Sequence, residues 1–452
     1  MSRSTPPDAR AKRSYLRELT VKVKASVFFK NILVVMAGTG IAQVISIGLA
    51  PVISRLFTPS DFGIAGSFGA VAGIIAAGVT LEYSQAIMLP KEKDDALGLL
   101  AISFICTAAV SLATLLACLV APATMNGIMK TAGLWPLALL VLSTLISGLN
   151  YACQAWAVRV KAFKVTSTSQ VIRSLAGKGA SIGFGVLKLG APGLIIATIL
   201  GNAVASVNLV RVLRPDLPAL LTKTRRSGLA KLAGEYRDFP IYSASQNVIN
   251  AVSAGLPVLL LTRFFGLPIA GAYAFAMTVL TFPMGFILSA LRQVLFQKAS
   301  ESQHQGRSLA ALYVKVTATL LALVLVPTAV ILIWAPQLFA WVFGAQWVTA
   351  GELSRSLMIW MAVVFCNLPA VLFGRIIRIQ RFVFFYDLGL LAARTAALVL
   401  GGLFLSAYQT VMAYALVGAV MNGFLILSVG RVLMKKEGPL NMDSLKGFLI
   451  ED

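Results

Sequence analysis

Long apolar runs, separated by short polar intervals, dominate this chain. A helix rises 1.5 Å per residue, so crossing a hydrocarbon core of about 30 Å takes about 20 apolar residues. Runs of that length predict twelve membrane-spanning helices, over residues 32–54, 62–89, 97–121, 133–155, 165–189, 192–212, 241–265, 268–296, 309–335, 352–379, 383–404 and 408–432. The runs are continuous rather than alternating, which argues against β-barrel strands of about ten residues. Turn signals punctuate several boundaries, among them Thr58-Pro59-Ser60-Asp61, Gly190-Ala191-Pro192 and Gly266-Leu267-Pro268. The longest polar interval, 213–240, divides the spans six and six and carries a short surface-helix pattern from Gly228 to Tyr236. The expected class is an all-α polytopic membrane protein, with twelve transmembrane helices in two six-helix lobes around a central cavity. Its parts are a basic tail (1–31), an N-terminal lobe (32–212), a basic linker (213–240), a C-terminal lobe (241–432) and a C-terminal tail (433–452).

The halves echo each other. Arg55-Leu56-Phe57 followed by Gly63 compares with Arg263-Phe264-Phe265 followed by Gly271, a constant offset of 208. Six spans per half make both repeats enter the membrane from one side, so they are parallel repeats about an axis along the membrane normal. Charge then sets the orientation. Of the 39 Lys and Arg, thirty fall in the two tails and in alternate loops including the linker. Five (Arg55, Lys130, Lys188, Arg263 and Arg355) fall on the opposite side. This positive-inside bias places both termini and the linker in the cytoplasm. The first apolar run is too long for a cleaved signal peptide, and reads as a retained anchor. Before it, a basic amphipathic stretch from Tyr15 to Lys30 suits the anionic leaflet.

Composition narrows the function. The chain is 58% hydrophobic and 12% charged, against about 25% charged in soluble domains. The net charge of +22 sits in loops between apolar runs, a pattern that points to a membrane surface and not to nucleic acid. Cys106, Cys118, Cys153 and Cys366 lie in apolar runs without metal-ligand spacing, and His304 stands alone. Neither a metal, nor a cofactor, nor a catalytic triad is expected.

Ionisable residues inside a span cost about 2.5–3.5 kcal/mol on insertion scales and normally face protein or a water-filled cavity. Lys178 and Arg394 lie near the midpoints of the fifth and eleventh runs, and Arg173 lies about two turns inside the fifth. These three are the candidate cationic lining of the cavity, with a polar contact between helices as the alternative. Lys315 and Arg292 are close enough to a span end to snorkel. Two acids fall within spans: Glu82, and Asp387, which stands two turns before Arg394 on one helix face. They are the candidate ion-coupling carriers, with an Asp387–Arg394 pair as the structural alternative. Amides gather in the first and seventh spans as Gln43, Gln246, Asn247 and Asn250. Glycines at Gly38/Gly40, Gly69/Gly73 and Gly401/Gly402 read as helix-packing surfaces. A basic, wet cavity suits an anion such as a phosphate or diphosphate.

Several stretches carry a family resemblance. Leu56-Phe57-Thr58-Pro59-Ser60-Asp61-Phe62-Gly63 and Ala86-Ile87-Met88-Leu89-Pro90-Lys91 are similar to the first two spans of Wzx-type polysaccharide flippases. Tyr236-Arg237-Asp238-Phe239-Pro240, Leu256-Pro257-Val258-Leu259-Leu260-Leu261 with Phe264-Phe265-Gly266, and Phe343-Gly344 to Trp347 resemble later motifs of that family. Where relatives have Arg-Tyr-Glu before Ala-Ile-x-Leu-Pro, this chain has Glu82-Tyr83-Ser84-Gln85. The resemblance implies the multidrug/oligosaccharidyl-lipid/polysaccharide (MOP) exporter fold, MATE-like, alternating between inward- and outward-facing states. It implies a transporter rather than an enzyme, in the inner (cytoplasmic) membrane of a bacterium. The implied substrate is an undecaprenyl-diphosphate-linked oligosaccharide. The implied pathway is surface polysaccharide biosynthesis (O-antigen lipopolysaccharide, capsule or exopolysaccharide), with a polymerase and chain-length complex as partner. Gln43, Gln246, Asn247 and Asn250 are then the expected sugar contacts.

Two rivals remain at the level of sequence. A cation-coupled multidrug exporter of the same superfamily needs a deep carboxylate and an aromatic pocket. A membrane glycan polymerase or glycosyltransferase needs a sizeable external loop, and the loops here are short. The orientation is testable alone: a reporter inserted between Lys223 and Arg226 should be cytoplasmic, and alkaline-phosphatase activity from that fusion would reverse the topology.

Overall fold

The computed structural model describes residues 37–223, 226–304, 308–377 and 379–437. The tail at 1–31, its Tyr15–Lys30 stretch, and the chain beyond 437 lie outside the described residues. Twelve long helices follow in order: α1 (Ala37–Leu56), α2 (Pro59–Gly78), α3 (Lys93–Val120), α4 (Trp135–Arg159), α5 (Phe163–Val186) and α6 (Gly190–Leu213) form the first half. The second half comprises α7 (Ser245–Phe265), α8 (Leu267–His304), α9 (Leu309–Phe343), α10 (Val348–Cys366), α11 (Gln380–Phe404) and α12 (Ala407–Glu437). Eleven are long and apolar enough to cross a membrane. The twelfth, α5, has the length at 24 residues. Its Thr166-Ser167-Thr168-Ser169 run, Arg173 and Lys178 make it too polar to register as a span.

Local chemistry explains where the helices start and stop. Thr58 caps α2: its Oγ1 accepts from the Asp61 amide, and Asp61 Oδ2 accepts from the Thr58 amide at 2.9 Å, with Pro59 at the first helical position. Asp61 Oδ1 also accepts from the Ala191 amide at 2.9 Å, which ties the start of α2 to the start of α6. Helix α2 stops at Gly78 rather than near residue 89. The backbone turns left-handed at Leu81 (φ 46°) and Glu82 (φ 60°) before a short helix, Tyr83–Ala86. Glu82 therefore sits on a break, not within a span. Helices α8 and α9 overrun their expected ends at 296 and 335, and the tenth run splits at Asn367 into α10 and Leu368–Ile376. Asn367 donates to Asn422 Oδ1 at 2.7 Å, so the break is stapled to α12.

The linker folds back onto the first lobe. Its surface helix runs Arg226–Glu235, starting two residues before the expected position. Leu229 and Leu232 pack over Gly98 at the start of α3, and the Tyr83 hydroxyl donates to the Ala233 carbonyl at 3.1 Å. Burial, with a smaller contribution from Cys106, pushes the Tyr83 phenol up, so it remains a neutral donor.

Helices α1–α6 form one lobe and α7–α12 the other. The C-terminal lobe has one continuous apolar core, while buried residues of the N-terminal lobe fall into three separate clusters. Along one seam between the lobes, α2 runs antiparallel to α7. Gly66 meets Val258, Gly255 meets Ala70, Gly78 meets Val248, and Ser67 and Thr262 share a buried hydrogen bond of 2.8 Å. At the end of the bundle far from the linker, the backbones touch. A Cβ on Gly63 would collide with the Leu267 carbonyl oxygen, and one on Gly271 with that of Pro59. The offset of 208 relates these two contacts: it maps Pro59 to Leu267 and Gly63 to Gly271.

Aromatic packing and hydrogen bonds complete the seal at this far end. Phe62 lies 5.3 Å from Phe275 and 5.0 Å from Trp347, and Phe275 lies 4.0 Å from Trp347. Trp347 and Gln346 donate to the Ser54 carbonyl at 2.8 and 2.6 Å, and Arg55 donates to the carbonyls of Trp341 and Val342. On the other seam the lobes part, leaving an apolar opening between α1 and α8 lined by Val44, Ile47, Phe282 and Ile287.

Gly271→Leu should pry the far end apart. Overpacking at such a contact costs about 1–3 kcal/mol or more, so the melting temperature in detergent should fall. A cysteine at Ser67 should also gain reactivity toward a maleimide added from the far side. Unchanged melting and labelling would mean that the contact does not hold the lobes.

Candidate functional site

Between the lobes lies a cavity of about 730 Å³, walled by α1, α2, α4, α5 and α6 and closed on its remaining side by α8. Its shape begins with α2. Gly69 and Gly73 line the wall, and a Cβ on either would meet nothing within 4 Å. The sequence reading of this pair as a packing surface is thus corrected: the missing side chains widen the cavity. Gly38, Gly401 and Gly402 do pack, against Ser167, Thr410 and Phe264.

Across the cavity from the glycine wall, α5 presents Lys178, the one charged residue lining this cavity among the described residues. Its ammonium has no hydrogen bond or ion pair with any described residue. Hydroxyls and an amide surround it: Ser143, Ser147 and Tyr151 from α4, Ser181 from α5, and Thr198 and Asn202 from α6. The sequence reading missed this polar lining, although a signal existed. Ser143, Ser147 and Tyr151 recur every four residues, which is one face of a helix.

Two further spaces join the cavity. Toward the linker end, a polar mouth of about 560 Å³ shares Ala76 and Tyr151 with it and is lined by Glu82, Gln85, Gln154 and Asn247. To the side, the apolar opening between α1 and α8 is also about 560 Å³ and shares Ile47, Phe282 and Pro283 with the cavity. Gln43 lines that side opening, and its Oε1 is buried without a hydrogen-bond partner.

The other candidate residues lie elsewhere. Arg173, Gln246 and Asn250 are exposed and line none of these three spaces. Asp387 is exposed while Arg394 is 7% exposed, and no ion pair joins them. The structure does not bring Lys178 and Arg394 together. Arg394 is held inside the C-terminal lobe, its guanidinium 3.7 Å from the Trp360 ring centre and 4.3 Å from that of Tyr414. It packs on Gly418, and its Nε and Nη2 have no acceptor. Aromatic faces stabilise a desolvated cation by about 2 kcal/mol, which offsets part of the cost of burying it. Among the described residues, no group of three or more His, Cys, Asp or Glu converges on a metal-sized site.

Chemically, the three spaces suit an amphiphile with an anionic junction. The lysine can hold a negative group, the polar mouth can bond hydroxyls, and the apolar opening can pass a hydrocarbon tail.

Comparison with known proteins agrees with this architecture. Residues 52–352 match the family model described as "Polysaccharide biosynthesis protein". No curated protein matches the chain in sequence. Among solved structures, it is similar to the lipid II flippase MurJ in an inward closed conformation (TM-score 0.68, 11% identity, covering 91% of each chain). It is also similar to a multidrug resistance MATE family transporter of the MOP superfamily, in its inward-facing form (TM-score 0.66, 16% identity, covering 87% of this chain and 95% of that one). The outward-facing MATE form gives a TM-score of 0.59 at 14% identity, covering 91% and 97%. At these identities the likeness shows the fold: the chain shares the helical architecture of these transporters.

The setting of Arg394 carries its own prediction. Arg394→Met removes a buried unpaired charge while keeping bulk, so thermal melting should be unchanged or higher. Trp360→Ala removes the ring beneath the charge, and should cost about 3–5 kcal/mol. If Arg394→Met melts as low as Trp360→Ala, the guanidinium has a stabilising partner other than the rings.

Proposed function

The chain belongs to the polysaccharide biosynthesis protein family, and on that premise we propose that it flips an undecaprenyl-diphosphate-linked oligosaccharide across a bacterial inner membrane. The direction is from the cytoplasmic to the periplasmic leaflet, and the delivered unit supplies a surface polysaccharide polymerase. The observation that carries this reading is Lys178, an unpaired cation in the wall of a cavity that also opens sideways through an apolar gap.

The physical problem is to move a diphosphate and several sugars through hydrocarbon without stripping them of partners, since unpaired charge and unbonded hydroxyls are each costly there. The lysine faces the diphosphate. Ser143, Ser147, Ser181 and Asn202 offer hydrogen bonds around it. The polyprenyl tail stays in the bilayer through the α1–α8 opening, whose walls are Val44, Ile47, Phe282 and Ile287. With the linker end cytoplasmic, as the distribution of Lys and Arg favours, the sealed far end is periplasmic. The described state is then inward-facing. Export requires the far-end contacts around Gly63 and Gly271 to part while the linker end closes, a rocking of one lobe against the other. No bond in the substrate is made or broken.

Lys178→Met should abolish export, leaving complete lipid-linked units on the cytoplasmic leaflet. The same substitution should hold or raise the melting temperature, because it removes a partly buried charge that pairs with no described residue. Lys178→Arg should retain part of the activity. Full export by Lys178→Met would overturn the reading, and drug efflux with normal glycan display would favour the multidrug rival.

A further inference from the structure

The mouth differs in chemistry from the cavity it leads to. The cavity carries one positive side chain, Lys178, whereas the mouth carries one negative side chain, Glu82, with three amides, Gln85, Gln154 and Asn247. Glu82 is held there by an unusual backbone. It and Leu81 are consecutive non-glycine residues in the left-handed region, and Glu82 opens the short helix Tyr83–Ala86. Such conformations persist only where surrounding structure enforces them, and they gather at functional sites. Enforcement is visible on both sides: Thr80 shares a hydrogen bond of 3.0 Å with Ser84, and Tyr83 is bonded to the linker helix.

Among the described residues, no cation answers this carboxylate. Glu82 makes no ion pair or side-chain hydrogen bond with a described residue. Arg159, on the same side of the lobe, directs its guanidinium to the carbonyls of Ile87, Pro90 and Glu92. Lys178 belongs to the deeper cavity and does not line the mouth. An unpaired acceptor among amides is suited to sugars, because hydroxyls donate to carboxylates and both donate to and accept from amides. The amides come from both lobes: Gln85 and Gln154 from the first, Asn247 from α7 of the second.

We propose that this mouth is the sugar subsite, and that Glu82 makes it selective for oligosaccharides without carboxylate groups, neutral or amine-bearing. The inference rests on the flippase reading above and names its substrate class. A diphosphate at Lys178 places the first sugars toward Ala76 and Tyr151, the two residues shared with the mouth. A uronic acid there brings a second negative charge beside Glu82 in a partly desolvated site, where like-charge repulsion is much stronger than in bulk water.

The test uses the full-length protein in detergent with three probes: undecaprenyl diphosphate without sugar, an undecaprenyl-diphosphate-linked neutral trisaccharide, and the same trisaccharide ending in glucuronic acid. The neutral probe should bind about tenfold more tightly than the acidic one, and Glu82→Gln should raise affinity for the acidic probe by about that factor. A gain of binding cannot arise from misfolding. Equal affinity of the wild-type protein for both glycans, or a preference that survives in Glu82→Gln, would overturn the subsite while leaving the flippase reading standing. Failure of all three probes to bind would overturn both.

Discussion

Two glycines allow the rest of this architecture. At the far end, Gly63 lies against the backbone at Leu267, and Gly271 against that at Pro59. Each contact is closer than any side chain permits. Because the offset of 208 exchanges them, they form a two-fold crossing of α2 and α8 at that end. The crossing makes the lobes converge at one end, which forces them to diverge toward the other. Small residues along α2 and α7 then let one seam close over its whole length. The opposite seam lacks such contacts and stays open between α1 and α8. The apolar gap between α1 and α8 is thus a consequence of where the small residues lie, and not an independent feature.

The hollow is also unequally shared. One lobe is solid, with a continuous apolar core, while the other has its buried residues split into three clusters, two of which border the cavity. Five of its helices contribute walls, and α5 carries so many polar residues that it falls below the hydropathy of a span. Of those polar residues, Lys178 and Ser181 line the cavity. A helix facing water on one side and protein on the other has little surface left to show to lipid.

This division explains what could be read from sequence. The helices were legible because apolar length and loop charge each report on the membrane without reference to tertiary structure. Even α5 was found, by its length and its turns. The break at Glu82 was not legible, since neither glycine nor proline marks residues 79–82 and the left-handed turn falls on Leu81 and Glu82. Lys178 and Arg394 looked alike because both lie at mid-depth. Depth along a helix says nothing about which way a residue faces across the bundle. The cage of Arg394 is assembled from Trp360 and Tyr414, on two other helices, and only packing brings them together. For Gly69 and Gly73 the chemistry of a small residue was recognised but its use was not: the same spacing serves a close helix contact or an empty wall.

The difference between the two buried cations bears on how occupancy and movement are linked. Arg394 has aromatic partners of its own within the C-terminal lobe, which offset part of the cost of its burial. Lys178 pairs with no described residue, so water entering through the mouth is what solvates it. Closing that mouth on an empty cavity would strip the lysine of water and leave an ammonium unpaired at low dielectric, which is costly. Closing it around a diphosphate pairs that ammonium with an anion instead. On the flippase reading, the substrate therefore lowers the barrier to the movement that carries it, and the empty protein is held back on the loading side. Such a device favours loaded over empty transitions through charge compensation alone. It requires that the cavity wall contain a cation without a counter-ion, which is the arrangement around Lys178.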